Sequence, residues 1–351
     1  MGLGILVTGG AGFIGSHYVR TLLAKNENIR LTVLDKLTET GNLANLDSVL
    51  ADNRLAFVHG DVRDPALVNA LVAQHDEVVH FASESHADHP VANTSEFIAT
   101  NVTGTQVLLD AALRTGLRRF VHVSTHEVYG FAEDGPWPES QPLTPGTPYA
   151  ATKAAGDLLA LAYHRTYGLD VRVSRSSGTY GHHQPPHQLI PRIITTLLES
   201  AEIPWYGGGL GLRDWLHADD HVQGIELIRT AGRPGEVYNI GGGTELTFGE
   251  LTGLVLEACG AGGRAQWDAS WDMEGFSGWH ARRAPHHSVD WTKIRTELGY
   301  RPGKDIETGL AETVAWYREN RAWWAPLKRS AAPHNATQEP QAARVLTTIA
   351  A

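Results

Sequence analysis

The sequence predicts an α/β fold: a doubly wound parallel sheet with a smaller mixed α/β region. Three observations predict it. Strand-like apolar runs alternate with helical patterns through the first half of the chain. A glycine-rich turn joins the first run to the first helical pattern, and the second half is less regular, with glycine-rich stretches between helical ones. The apolar runs fall at 5–8, 31–34, 55–58, 77–81, 119–123 and 171–174, and their alternation with helical segments predicts a parallel sheet covered on both faces. Helical spacing covers 16–23, 65–72 and 95–113 between them, and later 219–230, 247–258 and 306–320. The reading divides the chain into residues 1–175, residues 176–328 with a return to the first sheet around 213–240, and a mobile tail over 329–351, where Ala, Pro and Thr recur without period.

At 351 residues the chain can bury a sizeable core. Its formal net charge of −10 argues against a nucleic-acid partner, which needs a basic footprint. An anionic small ligand stays open, because one site can be positive on an acidic protein. The single cysteine, Cys259, rules out an internal disulfide. No apolar run reaches bilayer-spanning length, and Met1 leads into a strand-like segment without a signal-peptide pattern, so a cytoplasmic protein with no membrane partner is expected.

The strongest motif is Ile5-Leu-Val-Thr-Gly-Gly-Ala-Gly-Phe-Ile-Gly15. Gly9, Gly12 and Gly15 permit a tight turn and a close approach of backbone to a pyrophosphate, with Phe13 and Ile14 in the same turn and a helix starting near Ser16 whose N–H groups favour an anion. Asp35 ends the next strand about twenty residues on, where a carboxylate receives ribose hydroxyls. It would repel a 2′-phosphate, so NAD is expected over NADP, although Lys36 follows it. Asp61, with Val62, stands after the third strand and is placed to reach the adenine; the competing role for Asp61 is capping the helix over 65–72. Ala82, after the fourth strand, completes the expected cofactor set with Tyr149 and Lys153 of a Rossmann domain.

Tyr149-Ala-Ala-Thr-Lys153 places a phenol and an ammonium one turn apart. The ammonium, with a nicotinamide cation, would lower the phenol's pKa, and the phenolate could take a hydroxyl proton as hydride leaves carbon. Thr125 would hydrogen-bond the same hydroxyl or cap the turn that follows it.

These motifs, with Glu84-Ser-His86, Val123-Ser-Thr-His-Glu-Val-Tyr-Gly130, Arg213-Asp-Trp-Leu216, Tyr238-Asn-Ile-Gly-Gly242 and Lys293-Ile-Arg-Thr-Glu-Leu-Gly-Tyr-Arg-Pro302, resemble the dTDP-glucose 4,6-dehydratases. Those are extended short-chain dehydrogenases/reductases of the nucleotide-sugar epimerase/dehydratase type. The resemblance implies a nucleoside-diphosphate sugar substrate and a likeness in assembly, a homodimer formed through two helices. It also implies a closed redox cycle. Tyr149, Thr125 and Lys153 oxidise C4 against NAD, Glu127 takes the C5 proton, an acid one residue earlier protonates the departing C6 hydroxyl, and the hydride returns to C6.

This sequence departs from the family pattern at that acid, where His126 replaces aspartic acid. Three readings stand: His126 is the acid, dehydration is lost and C4 epimerisation remains, or the histidine is structural. Gly178-Thr179 replace the paired asparagines of the sugar site. Ser85, His86, Thr179, Leu189, Tyr206 and Arg213 form the expected substrate set, with Arg213 the diphosphate clamp. The eighteen histidines show no zinc spacing along the chain, and no metal is expected.

Overall fold

The computed structural model describes residues 2–85, 94–130, 135–199, 211–261 and 286–330. Seven strands form the larger sheet: β1 (Leu3–Thr8), β2 (Ile29–Asp35), β3 (Leu55–His59), β4 (Glu77–His80), β5 (Arg119–Thr125), β6 (Val171–Ser176) and β9 (Val237–Ile240). Their order is β3-β2-β1-β4-β5-β6-β9, and every pairing is parallel. The chain runs outward from β1 through β2 to β3, then crosses back to β4. The carboxyl ends of β1 and β4 therefore diverge at a switch point, where such sheets leave a crevice.

Helices cover both faces. On one side α1 (Phe13–Lys25) and α7 (Ala218–Ala231) bury Val19, Leu22, Val222, Ile225 and Ile228 against Ile5, Val7 and Val33. On the other, α2 (Pro65–Val72), α4 (Thr105–Thr115) and α5 (Pro148–Tyr167) bury Val68, Val72, Leu108, Ala112 and Leu161 against Leu6, Val78 and Phe120. The ends of these helices follow local chemistry. Asp64 caps α2 by accepting from the Ala66 and Leu67 N–H groups, and Thr147 caps α5, with Pro at each first turn. Gly116 and Gly168 end α4 and α5 in the left-handed conformation.

The helical pattern read over 95–113 is broken in the structure. A short α3 (Thr94–Phe97) leads into a π-helical segment, Ile98–Gly104, before α4 begins. The wide turn brings Gly104 so near Val62 that an added Cβ would lie 2.7 Å from its side chain.

A smaller sheet is built from β7 (Gly178–Tyr180), β8 (Leu212–His217), β10 (Glu245–Thr247) and the short strand His286–His287. Its core joins Tyr180 and Trp215 to Ile190 and Ile193 of α6 (Leu189–Leu198), to Leu251 and Val255 of α8 (Phe248–Ala258), and to Leu310, Val314, Tyr317 and Trp324. Among the described residues no helix is long and apolar enough to cross a membrane.

Candidate functional site

A cleft of about 270 Å³ opens at the switch point. Gly9 has φ +71°, and a Cβ there would lie 2.5 Å from the Ala82 nitrogen; one on Gly15 would lie 2.2 Å from the Gly9 carbonyl. Only glycine lets the turn, strand β4 and α1 approach this closely. Gly12 is the N-cap of α1 and offers no capping side chain, so the first-turn N–H groups face the cleft uncapped. Phe13, Ile14, Val62 and Ala82 line the same cleft.

Asp35 is nearly buried at the end of β2. Its Oδ2 accepts from the Ala11 N–H at 2.9 Å and its Oδ1 from the Leu37 N–H at 2.8 Å. Burial raises its pKa, and those two N–H groups offset part of the rise. Leu37 adopts φ +53° to make its contact, a costly conformation for a branched side chain that fixes the carboxylate's aim. Asp61 does not cap α2, a task Asp64 performs. It lines the cleft instead, paired with Lys36 at 3.0 Å and Arg63 at 2.8 Å. Burial opposes its ionisation, but hydrogen bonds from Arg63 and Lys36 prevail and hold the carboxyl below its ordinary range. The Lys36 charge is thus directed to Asp61.

The cleft fits a dinucleotide on its own terms. Besides the uncapped helix terminus and Asp35, two buried polar atoms of its wall, Thr100 Oγ1 and His221 Nε2, have no protein partner.

Tyr149 and Lys153 both line the cleft from the start of α5. Lys153 is buried and donates from Nζ to the Val123 carbonyl at 2.8 Å; burial brings its pKa down to about 8, against the pull of Asp157. The lowering of the Tyr149 pKa expected from Lys153 is not found in the protein's own field. Burial, with the charges of Glu127 and Asp157, pushes the phenol well above its ordinary value. Thr125 lines the cleft and accepts from the Glu127 N–H at 3.2 Å, the capping role weighed for it.

Glu127 sits in the 3₁₀ turn His126–Tyr129 with part of its side chain open. Burial pushes its carboxyl up to about 7, opposed by the Arg213 charge. Arg213 in turn is brought down to about 10 by burial and supported by Glu127. The guanidinium donates to the Leu212 carbonyl and lies over the Phe248 ring at 5.3 Å. His126 is nearly buried, with Nδ1 2.8 Å from the Ser176 carbonyl and its ring stacked on Trp137. Neither His126, Glu127 nor Arg213 is among the residues lining the 270 Å³ cleft.

Of the expected substrate set, Ser85 and Thr179 line the cleft. Thr179 contacts His221 Nδ1 at 3.0 Å. Leu189 is buried in the core of the smaller sheet, while its neighbour Gln188 lines the cleft. His86 and Tyr206 lie outside the described residues, as does the tail beyond 330.

Several wall residues escaped the sequence reading. Thr38, Thr40 and Gly41 follow β2, and Pro185 and His221 come from the second half of the chain. Behind the wall, next to Thr100, the buried Asn101 also escaped it. Its Oδ1 accepts from the Glu84 N–H, and its Nδ2 donates to the Glu84 carbonyl and to Thr152 Oγ1, each within 3.0 Å. Thr152 Oγ1 donates in turn to the Tyr149 carbonyl. No motif marks an asparagine inside a helical pattern, so only the fold reveals it.

Chain spacing also concealed a histidine cluster. The turn from α1 brings His17 to His182 and His183, which follow β7.

A family model described as GDP-mannose 4,6 dehydratase matches residues 6–313. A dTDP-glucose 4,6-dehydratase from Streptomyces antibioticus is 54% identical over 332 residues, covering 93% of this chain and 96% of that one. The solved dTDP-glucose 4,6-dehydratase of Streptomyces venezuelae, with NAD bound, superposes with a TM-score of 0.85 at 51% identity, covering 93% of this chain and all of that one. A UDP-glucose 4-epimerase from Thermotoga maritima superposes at 0.80 with 28% identity, covering 90% of this chain and 99% of that one.

Proposed function

Because this chain belongs to the GDP-mannose 4,6 dehydratase family and is an NAD-dependent nucleotide-sugar 4,6-dehydratase, we propose that it acts on dTDP-glucose and that Tyr149, Lys153, Thr125, Glu127 and His126 carry the reaction. The substrate assignment rests on relatives at about half identity, which favour dehydration over 4-epimerisation alone. The residue assignment rests on one observation above the others: Tyr149, Lys153 and Thr125 line one cleft, and Glu127, bonded through its N–H to Thr125, has a carboxyl that burial raises. A general base works best with its pKa near the working pH.

NAD, when bound, supplies the hydride acceptor at C4 and the hydride donor at C6. Tyr149 takes the C4 hydroxyl proton, with Thr125 donating or accepting at the same oxygen. Lys153 holds its place through the Val123 carbonyl and keeps a positive charge at the cleft floor. Glu127 removes the C5 proton that the C4 ketone has acidified. His126 gives a proton to the leaving C6 hydroxyl, which departs as water. Its Nδ1–H is directed at the Ser176 carbonyl, so the transfer falls to Nε2. Arg213, beside Glu127, binds the diphosphate, and Ser85 and Thr179 the sugar end. Gly9, Gly12, Phe13, Ile14, Gly15, Asp35, Lys36, Asp61, Val62 and Ala82 hold the dinucleotide. Residues 1–175 carry the cofactor and most of 176–328 the nucleotide sugar. A cytoplasmic homodimer completes the reading. Leu158 and Tyr167 of α5, exposed among the large apolar side chains, support pairing through that helix.

The test is incubation with dTDP-glucose in D2O, followed by mass spectrometry and NMR of the sugar. Loss of one water with deuterium at C5 is expected. Inversion at C4 without label would overturn the assignment of Glu127 and of the dehydration.

A further inference from the structure

The three histidines His17, His182 and His183 come from separate parts of the chain, and each places one ring nitrogen within 4.8 Å of the other two. His17 is buried on α1; the other two are half-buried in the segment between β7 and α6. His183 takes φ +63°, a conformation rare outside glycine and asparagine, and in it Nδ1 lies 2.8 Å from His182 Nδ1. The His17 and His182 rings lie 4.1 Å apart. His17 Nδ1 faces Asp219 Oδ1 at 3.2 Å and its Nε2 faces the His182 carbonyl at 2.8 Å.

We propose that His17, His182 and His183 form a binding site for a borderline divalent transition ion, zinc foremost, outside the nucleotide cleft. The donor set is three imidazoles with no thiolate, which suits zinc, nickel, cobalt or copper. Tetrahedral zinc at about 2.0–2.1 Å from each nitrogen sets the nitrogens roughly 3.3 Å apart, so the rings need to close by no more than about 1.5 Å. His17 binds through Nε2, leaving the His182 carbonyl, while Nδ1–H stays on Asp219. That carboxylate then orients the ligand, as carboxylates commonly do behind zinc-bound histidines.

The surrounding charges point both ways. Arg20 lies near all three rings and disfavours a cation, and Asp219 favours one. His183 also borders a second cavity, of about 20 Å³, with Thr40, Asn45 and Trp323. A cavity of that size holds one water. Bound metal would tie the first helix after the dinucleotide turn to the segment that reaches α6, a structural task separate from the chemistry.

The experiment is calorimetric titration of the untagged, chelator-treated full chain with zinc chloride at pH 7.5. One equivalent with a micromolar or tighter Kd is expected, and cobalt should give the visible absorption of a tetrahedral site. At 100 times Kd the Tm should rise by about 4 °C. Asp219→Asn should weaken binding roughly tenfold. The pair His182→Gln and His183→Gln should abolish the equivalent, whereas His59→Gln on the surface should leave it intact. Both glutamines replace half-buried rings, so folding is checked by NAD affinity, which should not change. Failure of the wild-type chain to take up zinc, or uptake undiminished in the double variant, would overturn the proposal.

Discussion

Replacing Glu127 by glutamine should make the cofactor-free protein more stable, and only at higher pH. The carboxyl's ordinary pKa of 4.5 is pushed by burial to about 7 in the folded chain. The folded state therefore favours the protonated form. The resulting cost is absent well below pH 4.5, grows as the pH rises, and is complete above 7. At its limit it amounts to about 3.4 kcal/mol. This is an upper figure, because Glu127 keeps part of its surface open to water. Glutamine has nearly the same shape and never ionises, so the difference between the two proteins isolates this one group. Between pH 5 and pH 8 the advantage of Glu127→Gln should grow by about 2.5 kcal/mol, or about 3 °C in Tm. Thermal denaturation of both proteins at the two pH values measures it. An equal shift at both, or none, would refute the account of Glu127 as a desolvated carboxyl held near neutrality. The same argument places the acidic limb of wild-type kcat/KM near pH 7, and Glu127→Gln should lose C5 deuteration while C4 oxidation persists.

Other substitutions test the remaining parts. Tyr149→Phe should lower turnover by roughly 10²–10⁴-fold while NAD affinity, measured by calorimetry, stays near that of the wild type. His126→Asn should impair loss of water far more than C4 oxidation, read as single-turnover NADH absorbance. Asp35→Ala should weaken NAD binding by roughly tenfold to a hundredfold, since it strips a charged acceptor and frees the Ala11 and Leu37 N–H groups. Asp64→Ala should cost about 1 kcal/mol of stability through its lost cap and leave NAD affinity unchanged, which separates it from Asp61.

What the sequence made legible was local. The turn through Gly9, Gly12 and Gly15, the carboxylate ending β2 and the Tyr149–Lys153 spacing each lie within one strand–helix unit, where a few φ angles and one helical period dictate the geometry. The helix over 65–72 was readable to the residue from its apolar spacing, which is local, although the cap weighed for it was Asp61 and the cap it has is Asp64. The rest depended on long-range assembly. Whether Asp61 or Asp64 capped that helix could not be separated by spacing alone. The pKa of Tyr149 was read from the neighbouring ammonium and a nicotinamide cation, whereas in the protein's own field burial, Glu127 and Asp157 raise it. The Leu189 side chain joins the core of the smaller sheet while its neighbour Gln188 lines the cleft, a division that chain position alone does not reveal. His17 stands more than 160 residues before His182, and no period or motif connects them.

Asn101 has a kinetic consequence. With three hydrogen bonds it ties the segment after β4 to the first turns of α5, two walls of one cleft. Were a dinucleotide to enter or leave by parting those walls, the clamp would have to break, a barrier to escape as much as to entry. An enzyme that returns its hydride within each turnover has no need to exchange the carrier. The protein is therefore expected to leave a purification with its NAD still aboard, and to surrender it faster once Asn101 is shortened to alanine.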